Sequence, residues 1–150
     1  MIRLHFEYVF TGKPAELGRG KLLLFNEQKI ISVNEARTGS VTSQGKLVNS
    51  IKPSNDNRIW TAKIIPEMCY DKAEYYRMWR RKEPGFGWKI RLFENGQYTH
   101  YLIHPDGGLG GTKGCIGLLS NGIKFYESMI NYGYEAEREY IPLEIERIAA

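Results

Sequence analysis

Apolar and polar residues alternate along several short stretches of the chain, and a two-residue period of this kind predicts β-strands. Residues 2–10 alternate in this way. Residues 21–25 and 29–33 are two further apolar runs, and the polar residues Asn26-Glu-Gln28 between them predict a hairpin. Another strand is expected at residues 60–65. The first half of the chain is therefore expected to be rich in β-structure.

The clearest strand pair lies in the second half of the chain. Residues 88–94 alternate apolar and basic positions, and Asn95-Gly96 is a strong signal for a tight turn. Residues 98–104 then predict the returning strand. The two-residue period places His100 and His104 on one face of that strand.

Helical periodicity is confined to two segments. Asp71 with Glu74 three residues later forms a capping pattern, which predicts a short helix over residues 71–81. Apolar residues at helical spacing predict a second helix over residues 123–132.

Two further segments complete the pattern. Residues 34–58 are polar and contain Gly, Pro, Ser and Asn, so we expect a long irregular connection. Residues 141–148 alternate again, and Pro142 is typical of an edge strand. The sequence thus predicts a mainly β fold of the α+β type, with antiparallel strands and one or two short helices.

Composition and charge are those of an ordinary globular protein. The 150 residues are expected to form a single domain over residues 1–150, with 42% apolar and 25% charged residues. The net charge of +4 gives a mild bias toward anionic partners. The basic cluster is interpreted as a solvated surface rather than a nucleic-acid patch; it comprises Arg77, Arg80, Arg81 and Lys82. We therefore expect no nucleic-acid binding, and no membrane insertion, since no apolar run is long enough to span a bilayer.

The sequence indicates neither a cleavable signal at the N-terminus nor a disulfide between the two cysteines. Residues 1–7 lack the charged and then apolar pattern of a cleavable signal. The spacing of the two cysteines, Cys69 and Cys115, does not suggest a disulfide. Cys69 follows an apolar run and is expected to be a small buried residue. Cys115 stands in a different context.

The stretch from His104 to Cys115 carries the candidate chemistry. His104 ends a predicted strand, and a glycine-rich loop returns the chain to Thr112-Lys-Gly-Cys115-Ile116. This order can place an imidazole beside a thiol, which is the minimum equipment for acyl transfer through a thiolate. Glycines let the backbone approach a substrate and leave amide N–H groups uncovered for an oxyanion; they stand at positions 107, 108, 110, 111 and 114.

Each of these residues also has a structural interpretation. A lone cysteine is most often a small buried residue, and a histidine at a strand end is most often a packed or surface imidazole. A phosphate-binding loop and a dinucleotide fingerprint are excluded, because the residues around Lys113 do not match either pattern. A zinc site built from His100, His104 and Cys115 stays open, although the sequence places no further ligand convincingly.

The motif of His104, the glycine-rich loop and Thr112-Lys-Gly-Cys115-Ile116 resembles the active-site signature of L,D-transpeptidases, the cysteine enzymes of bacterial peptidoglycan. The short spacer between the histidine and the cysteine is more similar to that of the L,D-transpeptidase-like toxins delivered by type VI secretion, and of relatives of phage origin.

Upstream of the motif the resemblance is looser. Residues 22–31 resemble the family's opening hairpin, and residues 37–39 and 51–53 resemble its Gly and Pro landmarks. The resemblance thus spans residues 21–120, and it is specific over residues 104–116.

The resemblance implies a fold and a set of roles. The fold is an antiparallel β-sandwich or open barrel of the L,D-transpeptidase type. Cys115 is then the nucleophile, His104 is its base, and the carbonyl of Pro105 is the third member of the triad. Thr112 lines the site, and the amide of Cys115 with Gly114 beside it supplies oxyanion donors.

Two positions depart from the family pattern. Lys113 stands where many members carry His, and Gly117 stands where many carry Arg or Asn. The charge of Lys113 is expected either to lower the pKa of the thiol or to be solvated. Lys113, His100 and Tyr98 are the candidate substrate-binding residues.

The activity implied by the resemblance is modification of peptidoglycan tetrapeptide stems, without a cofactor or a metal. Cys115 attacks the carbonyl of the diamino acid, releases D-alanine and forms a thioester. An amine, a free D-amino acid or water then resolves the thioester, which gives L,D-transpeptidase, exchange or L,D-carboxypeptidase activity.

The resemblance also implies where such an enzyme acts. We expect action in the periplasm or at the cell wall, after delivery by specialised secretion or phage lysis. Besides the stem peptides, an immunity protein or a secretion carrier is a possible partner. The rival hypothesis is a non-catalytic β-rich module that binds the cell wall or belongs to a phage particle, with an inert Cys115.

Overall fold

The computed structural model describes residues 2–13, 17–64, 89–105, 112–119, 122–132 and 140–149. The strands and the helix within these ranges are β1 Ile2–Val9, β2 Gly18–Asn26, β3 Lys29–Val41, β4 Leu47–Val48, β5 Trp60–Ile64, β6 Ile90–Glu94, β7 Gln97–Pro105, β8 Thr112–Leu118, α1 Gly122–Tyr132 and β9 Ile141–Arg147. The mainly β fold expected from the sequence is confirmed.

Eight of the strands in the described ranges close into a barrel, in the order β2-β1-β9-β5-β6-β7-β8-β3. The ring closes because β3 pairs with β8 on one side and with β2 on the other. The sequence predicted an antiparallel sandwich or an open barrel, so closure is a correction, and it leaves these strands without a free sheet edge. The pairs β1–β9 and β7–β8 are parallel, which the antiparallel expectation also missed.

The core lies inside the barrel, and it accounts for the two-residue period of the sequence. Alternate residues of each strand point inward, and the opposite residues face outward. The inward set includes Leu4, Phe6, Leu22, Leu24, Trp60, Ala62, Ile90, Leu92, Ile103 and Ile116. Burial of this apolar surface is the main favourable contribution to folding.

Helix α1 adds its apolar face to the same core. Phe125 and Met129, one turn apart, are fully buried, whereas Lys124 and Glu127 are exposed. The helix expected over residues 123–132 is therefore confirmed, and the helix expected over residues 71–81 lies outside the described residues. No helix in the described part of the chain combines the length and the hydrophobicity needed to cross a bilayer.

The tight turn expected at Asn95-Gly96 joins β6 to β7. Both residues adopt the left-handed backbone, with φ of 51° and 74°, which is the geometry that Asn-Gly favours in hairpins. The side chain of Asn95 ties the turn to the preceding loop. Its Oδ1 accepts the N–H of Ile59 at 2.8 Å, and its Nδ2 donates to the carbonyl of Asn57 at 2.9 Å.

Residues 34–41 are a strand, although the polar composition of residues 34–58 predicted an irregular connection. Asn34 and Thr38 in this part of β3 are buried and hydrogen-bonded rather than solvated, whereas Glu35 is exposed. Asn34 Nδ2 donates to Ser32 Oγ at 2.7 Å, and Thr38 Oγ1 accepts the N–H of Ile51 at 3.0 Å. Composition was misleading here because internal hydrogen bonds offset the burial of polar groups.

The last strand, β9, is not an edge strand as its proline suggested. It lies between β1, to which it is parallel, and β5, to which it is antiparallel. Pairing with β1 begins at Leu143, one residue after Pro142. The missing N–H of the proline therefore lies ahead of that ladder, which makes an internal strand compatible with the residue.

Candidate active site

Cys115 and His104 lie on adjacent strands of the barrel. Strands β7 and β8 run parallel, with Ile103 opposite Ile116 and His104 opposite Gly117. Both isoleucines are fully buried in the core, so their neighbours along each strand face outward. The thiol and the imidazole therefore share the outer face of the barrel, in diagonal positions on paired strands.

The Cys115 sulfur is a free thiol on this face. Its side chain is half-buried, so it is neither sealed in the core nor fully solvated. The backbone N–H of Leu102 on β7 donates to Sγ at 3.4 Å. A donor at this place favours the charged thiolate over the thiol.

The imidazole of His104 is buried and oriented by its own strand. Only 5% of the residue is exposed, and Nδ1 lies 2.7 Å from the carbonyl oxygen of Pro105. When Nδ1–H donates to this oxygen, the neutral ring carries its free lone pair on Nε2 and can accept a proton there. The hydrogen bond to Pro105 is the contact that the family resemblance implies.

Burial is the main influence on the Cys115 thiol and raises its pKa above the ordinary value. The hydrogen bond from Leu102 and the positive charges of Arg91 and Lys89 act in the opposite direction. Because burial dominates, the resting group at neutral pH is the thiol. Formation of the nucleophilic thiolate therefore requires a base, and His104 is an imidazole on the same face.

Two basic residues outside the sequence motif act on the thiol, Arg91 on β6 and Lys89 just before that strand. A regular hairpin after the two-residue turn places Arg91 opposite His100. The register shifts within the β6–β7 pair, so that Arg91 lies opposite Leu102 instead. Leu102 is the residue that bonds the Cys115 sulfur. The shift thus moves a guanidinium group toward the thiol.

The Arg91 guanidinium is held in place by β7. Its Nη1 donates to the carbonyl of Thr99 at 3.1 Å, and its central carbon lies 4.7 Å from the ring centroid of Tyr98. The Nε atom is buried and has no hydrogen-bond partner among the described residues. Burial lowers the pKa of the Lys89 amine, the charge of Arg91 lowers it further, and Cys115 acts in the opposite direction.

The glycine-rich loop, residues 106–111, lies outside the described residues, and three further residues of the motif are described as backbone only. Thr112, Lys113 and Gly114 belong to β8, and their side chains lie outside the described part of the structure. The roles assigned to them in lining the site, in tuning the thiol and in binding an oxyanion stay predictions. Among the described residues, the cations that act on the thiol are Arg91 on β6 and Lys89, which lies just before that strand.

The predicted substrate-binding residues Tyr98 and His100 lie further along the same outer face. Tyr98 is 61% exposed, and its ring meets the ring of His100 edge-on, with centroids 5.6 Å apart. His100 is exposed, whereas His104 is buried. The two aromatic rings form a small exposed surface beside Arg91. Their role in binding a substrate stays a prediction.

The neighbour of Gly117 on β3 is Arg37, which is 9% exposed. Gly117 in turn lies opposite His104 on β7. The outward face therefore has an arginine one strand away from the position where many L,D-transpeptidases carry Arg or Asn. In the sequence, Arg37 stands out only as part of a landmark of the family resemblance, because its pairing with β8 is not visible in the local pattern.

The described residues do not support the zinc hypothesis. Metal-ligating side chains come together there at His5, Glu7 and Glu146, on β1 and β9. His100, His104 and Cys115 do not form such a group within the described ranges. The cluster on β1 and β9 consists of partly exposed and exposed groups on a different part of the barrel, and no step of the chemistry is assigned to it.

No protein-family model, no curated protein and no solved structure matches this chain. A function is therefore inferred from the chemistry of the β7–β8 face and from the resemblance of the motif that runs from the end of β7 into β8.

Proposed function

We propose that this protein is a cysteine enzyme that modifies peptidoglycan tetrapeptide stems, of the L,D-transpeptidase kind. The observation that carries the proposal is the shared outer face of β7 and β8. There Cys115 is a free, half-buried thiol, and His104 on the paired strand has Nδ1 hydrogen-bonded to the Pro105 carbonyl. This is the set of groups that acyl transfer through a thioester requires.

The acylation step uses groups on this face. Nε2 of His104 accepts the proton of the Cys115 thiol, and the sulfur attacks the carbonyl carbon of the diamino acid. The C–S bond forms, and the imidazolium returns its proton to the amine of the departing D-alanine as the C–N bond breaks. The product is a thioester at Cys115 and free D-alanine.

The deacylation step repeats the proton transfers with a second nucleophile. An amine of another stem, a free D-amino acid or water gives up a proton to Nε2 of His104 and attacks the thioester carbonyl. The proton then passes to the leaving sulfur of Cys115, and the enzyme is regenerated. The acceptor decides whether the product is a cross-link, an exchanged stem or a tripeptide, and the proposal includes all three.

The raised pKa of Cys115 fits a mechanism in which the thiolate forms only with the base. A thiol that ionised by itself at neutral pH would be exposed to oxidation and alkylation between turnovers. Action in the periplasm or at the cell wall belongs to the same proposal, because its substrate is found there.

The experiment that tests the proposal is release of D-alanine from purified disaccharide-tetrapeptide. Wild-type protein should release D-alanine and yield one of the three products, whereas Cys115→Ala should yield none. Turnover that is unchanged in Cys115→Ala would exclude the covalent route. A carbapenem adduct on Cys115, seen by mass spectrometry, would support the acylation step independently of the acceptor.

The alternative is a non-catalytic wall-binding or phage structural module, and one observation favours it. Burial raises the pKa of Cys115, as it does for an inert structural cysteine. The two hypotheses differ in thiol reactivity. A catalytic thiol reacts with iodoacetamide near neutral pH and loses that reactivity in His104→Ala, whereas an inert thiol reacts equally slowly in both proteins.

A further inference from the structure

Four side chains meet on the outer face of the barrel where β1 pairs with β9. We infer that His5, Glu7 and Glu146 form a binding site for a divalent transition-metal ion of the Zn²⁺ type, with Glu144 as the residue that orients the imidazole. The site is separate from Cys115 and goes beyond the reaction proposed above. Its place in the fold indicates a structural role, because the ion joins the first strand of the chain to the last described strand.

The register of β1 and β9 brings these side chains to one surface. Alternate residues of β1 point into the core, so His5 and Glu7 face outward together. Glu144 and Glu146 face outward on β9 for the same reason. In the parallel β1–β9 pair, His5 lies opposite Glu144, and Glu7 lies opposite Glu146. One imidazole is therefore set among three carboxylates on two hydrogen-bonded strands.

The distances between these groups suit a shared ion better than direct bonds. Nε2 of His5 lies 3.7 Å from a carboxylate oxygen of Glu146 and 3.9 Å from one of Glu7, and a hydrogen bond is shorter, about 2.7–3.2 Å. The ligand atoms of the three residues lie within 4.8 Å of one another. Two atoms bound to one zinc ion at about 2.0–2.2 Å are at most about 4.4 Å apart. Small rotations of the two glutamates are therefore enough to bring all three residues onto one ion.

The second nitrogen of the imidazole faces the kind of group that metal-binding histidines use. Nδ1 of His5 lies 4.0 Å from a carboxylate oxygen of Glu144. A histidine that binds a metal through one ring nitrogen donates its other N–H to a carboxylate, a carbonyl or water, which fixes the ring and its tautomer. Glu144 is placed for this role, while Nε2 faces the two ligand carboxylates. This arrangement distinguishes the cluster from an exposed acidic patch, which by itself is not a metal site.

Charge gives an independent reason to expect a cation at this place. Glu7 and Glu146 lie directly opposite each other on paired strands, and like charges in this relation destabilise a sheet. Within the described residues, neither glutamate forms an ion pair with a lysine or an arginine. Lys21, the partner of Glu7 on β2, is exposed and makes no such contact. A divalent ion bound by both carboxylates removes the repulsion.

The ligand set determines which metals fit. An imidazole with carboxylates suits Zn²⁺ and other transition metals, whereas Mg²⁺ and Ca²⁺ bind through oxygen alone. Three protein ligands leave one position of four-coordinate zinc for water. The bound ion links β1 to β9, one of the pairings between distant parts of the chain that close the barrel. Since a ligand that binds only the folded state stabilises it, the ion should favour the closed barrel.

Equilibrium dialysis against Zn²⁺, after removal of metals with a chelator, measures the number of ions bound per chain. Thiolates also bind metals, so the test is the difference between wild type and variants that keep both cysteines. Wild type should bind one ion more than His5→Gln, and one ion more than Glu146→Gln, which tests the site even if His5→Gln does not fold. Glu127→Gln is the matched control, because it removes the same charge from an exposed residue of helix α1, and it should bind as many ions as wild type.

Two further measurements test the assigned roles. Glu144→Gln should still bind the ion, but with about 10- to 100-fold lower affinity by titration calorimetry, the usual effect of losing a group that orients a ligating histidine. Thermal unfolding in Zn²⁺ and in EDTA should show a higher Tm with the metal for wild type. That increase should be smaller in His5→Gln and unchanged in Glu127→Gln.

Equal numbers of bound ions in wild type, His5→Gln and Glu146→Gln would overturn the site, and a protonated His5 would then balance the glutamates without a metal. The same loss of an ion in Glu127→Gln would also overturn it, because the effect would be one of net charge. Displacement of the ion by an equal concentration of Ca²⁺ would contradict the imidazole ligand. None of these measurements uses Cys115 or release of D-alanine, so the metal site and the proposed function are tested separately.

Discussion

The Nδ1 atom of His104 lies 2.7 Å from the carbonyl oxygen of Pro105, the next residue in the chain. This contact fixes the tautomer of the neutral ring and leaves Nε2 as the atom that accepts a proton. Because β7 and β8 are parallel and in register, the same ring is on the face that carries the Cys115 sulfur. With its ring held in this orientation, the buried His104 is a candidate general base.

Replacement of His104 by alanine should slow D-alanine release by about 10²- to 10⁴-fold, the usual contribution of a general base. Iodoacetamide should also react more slowly with Cys115 at pH 7, since burial keeps the thiol protonated. His5→Ala is the control, because His5 lies on β1 beside Glu7 and Glu146. If His5→Ala lost as much activity and thiol reactivity as His104→Ala, the effect would come from a general disturbance of the structure and not from loss of a base.

Stability should depend on pH through Cys115. The folded state raises the pKa of this thiol above its ordinary value of 9.0, so the folded state favours the protonated group. The resulting stabilisation is fully present below pH 9.0 and is lost as the pH rises through the folded value. The free energies of unfolding of wild type and Cys115→Ser, measured with urea, should differ by a constant amount from pH 6 to 8. Above pH 9 the free energy of unfolding of wild type should fall relative to that of Cys115→Ser. A flat difference up to pH 10.5 would contradict the burial of the thiol.

Glycine at position 39 should be required for the shape of β3 near the motif. Gly39 has φ of 90°, pairs with Thr112 at the start of β8, and a Cβ there would meet Leu47 Cδ1 at 2.9 Å. Gly39→Ala should therefore destabilise the protein by about 1–3 kcal/mol. Gly45 has a similar φ of 78°, but a Cβ there would meet open space. Gly45→Ala should therefore lower the free energy of unfolding less than Gly39→Ala does. Chemical denaturation measures the stability of both variants. Equal losses of stability would show that the contact of the new Cβ with Leu47 contributes nothing.

The hydroxyl of Tyr8 should stabilise the barrel through a buried bond. It donates to the carbonyl of Ile51 at 2.7 Å, so Tyr8→Phe leaves a buried acceptor unsatisfied and should cost about 1–3 kcal/mol. Tyr132→Phe, at a residue that is 50% exposed, is the matched control with little expected effect. Thermal and urea unfolding compare the two.

Local sequence signals predicted the parts of the fold that depend on neighbouring residues. The β2–β3 hairpin, the Asn95-Gly96 turn and the helix near residues 123–132 each follow from a period or a turn residue, and all three are present. Closure of the barrel does not follow from any local pattern. It depends on pairing of β9 with β1 and of β3 with β8, which joins residues far apart in the sequence.

The candidate site divides in the same way. His104 and Cys115 stand out in the sequence because the glycine-rich loop connects them. Lys89 and Arg91 do not, since a regular hairpin places Arg91 opposite His100 and only the register shift brings it opposite Leu102. The alternation of basic and apolar residues over 88–94 was the available signal, and it was interpreted as an ordinary strand.

The most direct test of the central claim is the mass of the intact protein after brief incubation with disaccharide-tetrapeptide and rapid acid quenching. The account predicts an adduct equal to the substrate without its terminal D-alanine, located on the peptide that contains Cys115 and missing in Cys115→Ser. Release of D-alanine at the wild-type rate by Cys115→Ser, or an adduct located on a residue other than Cys115, would contradict the account.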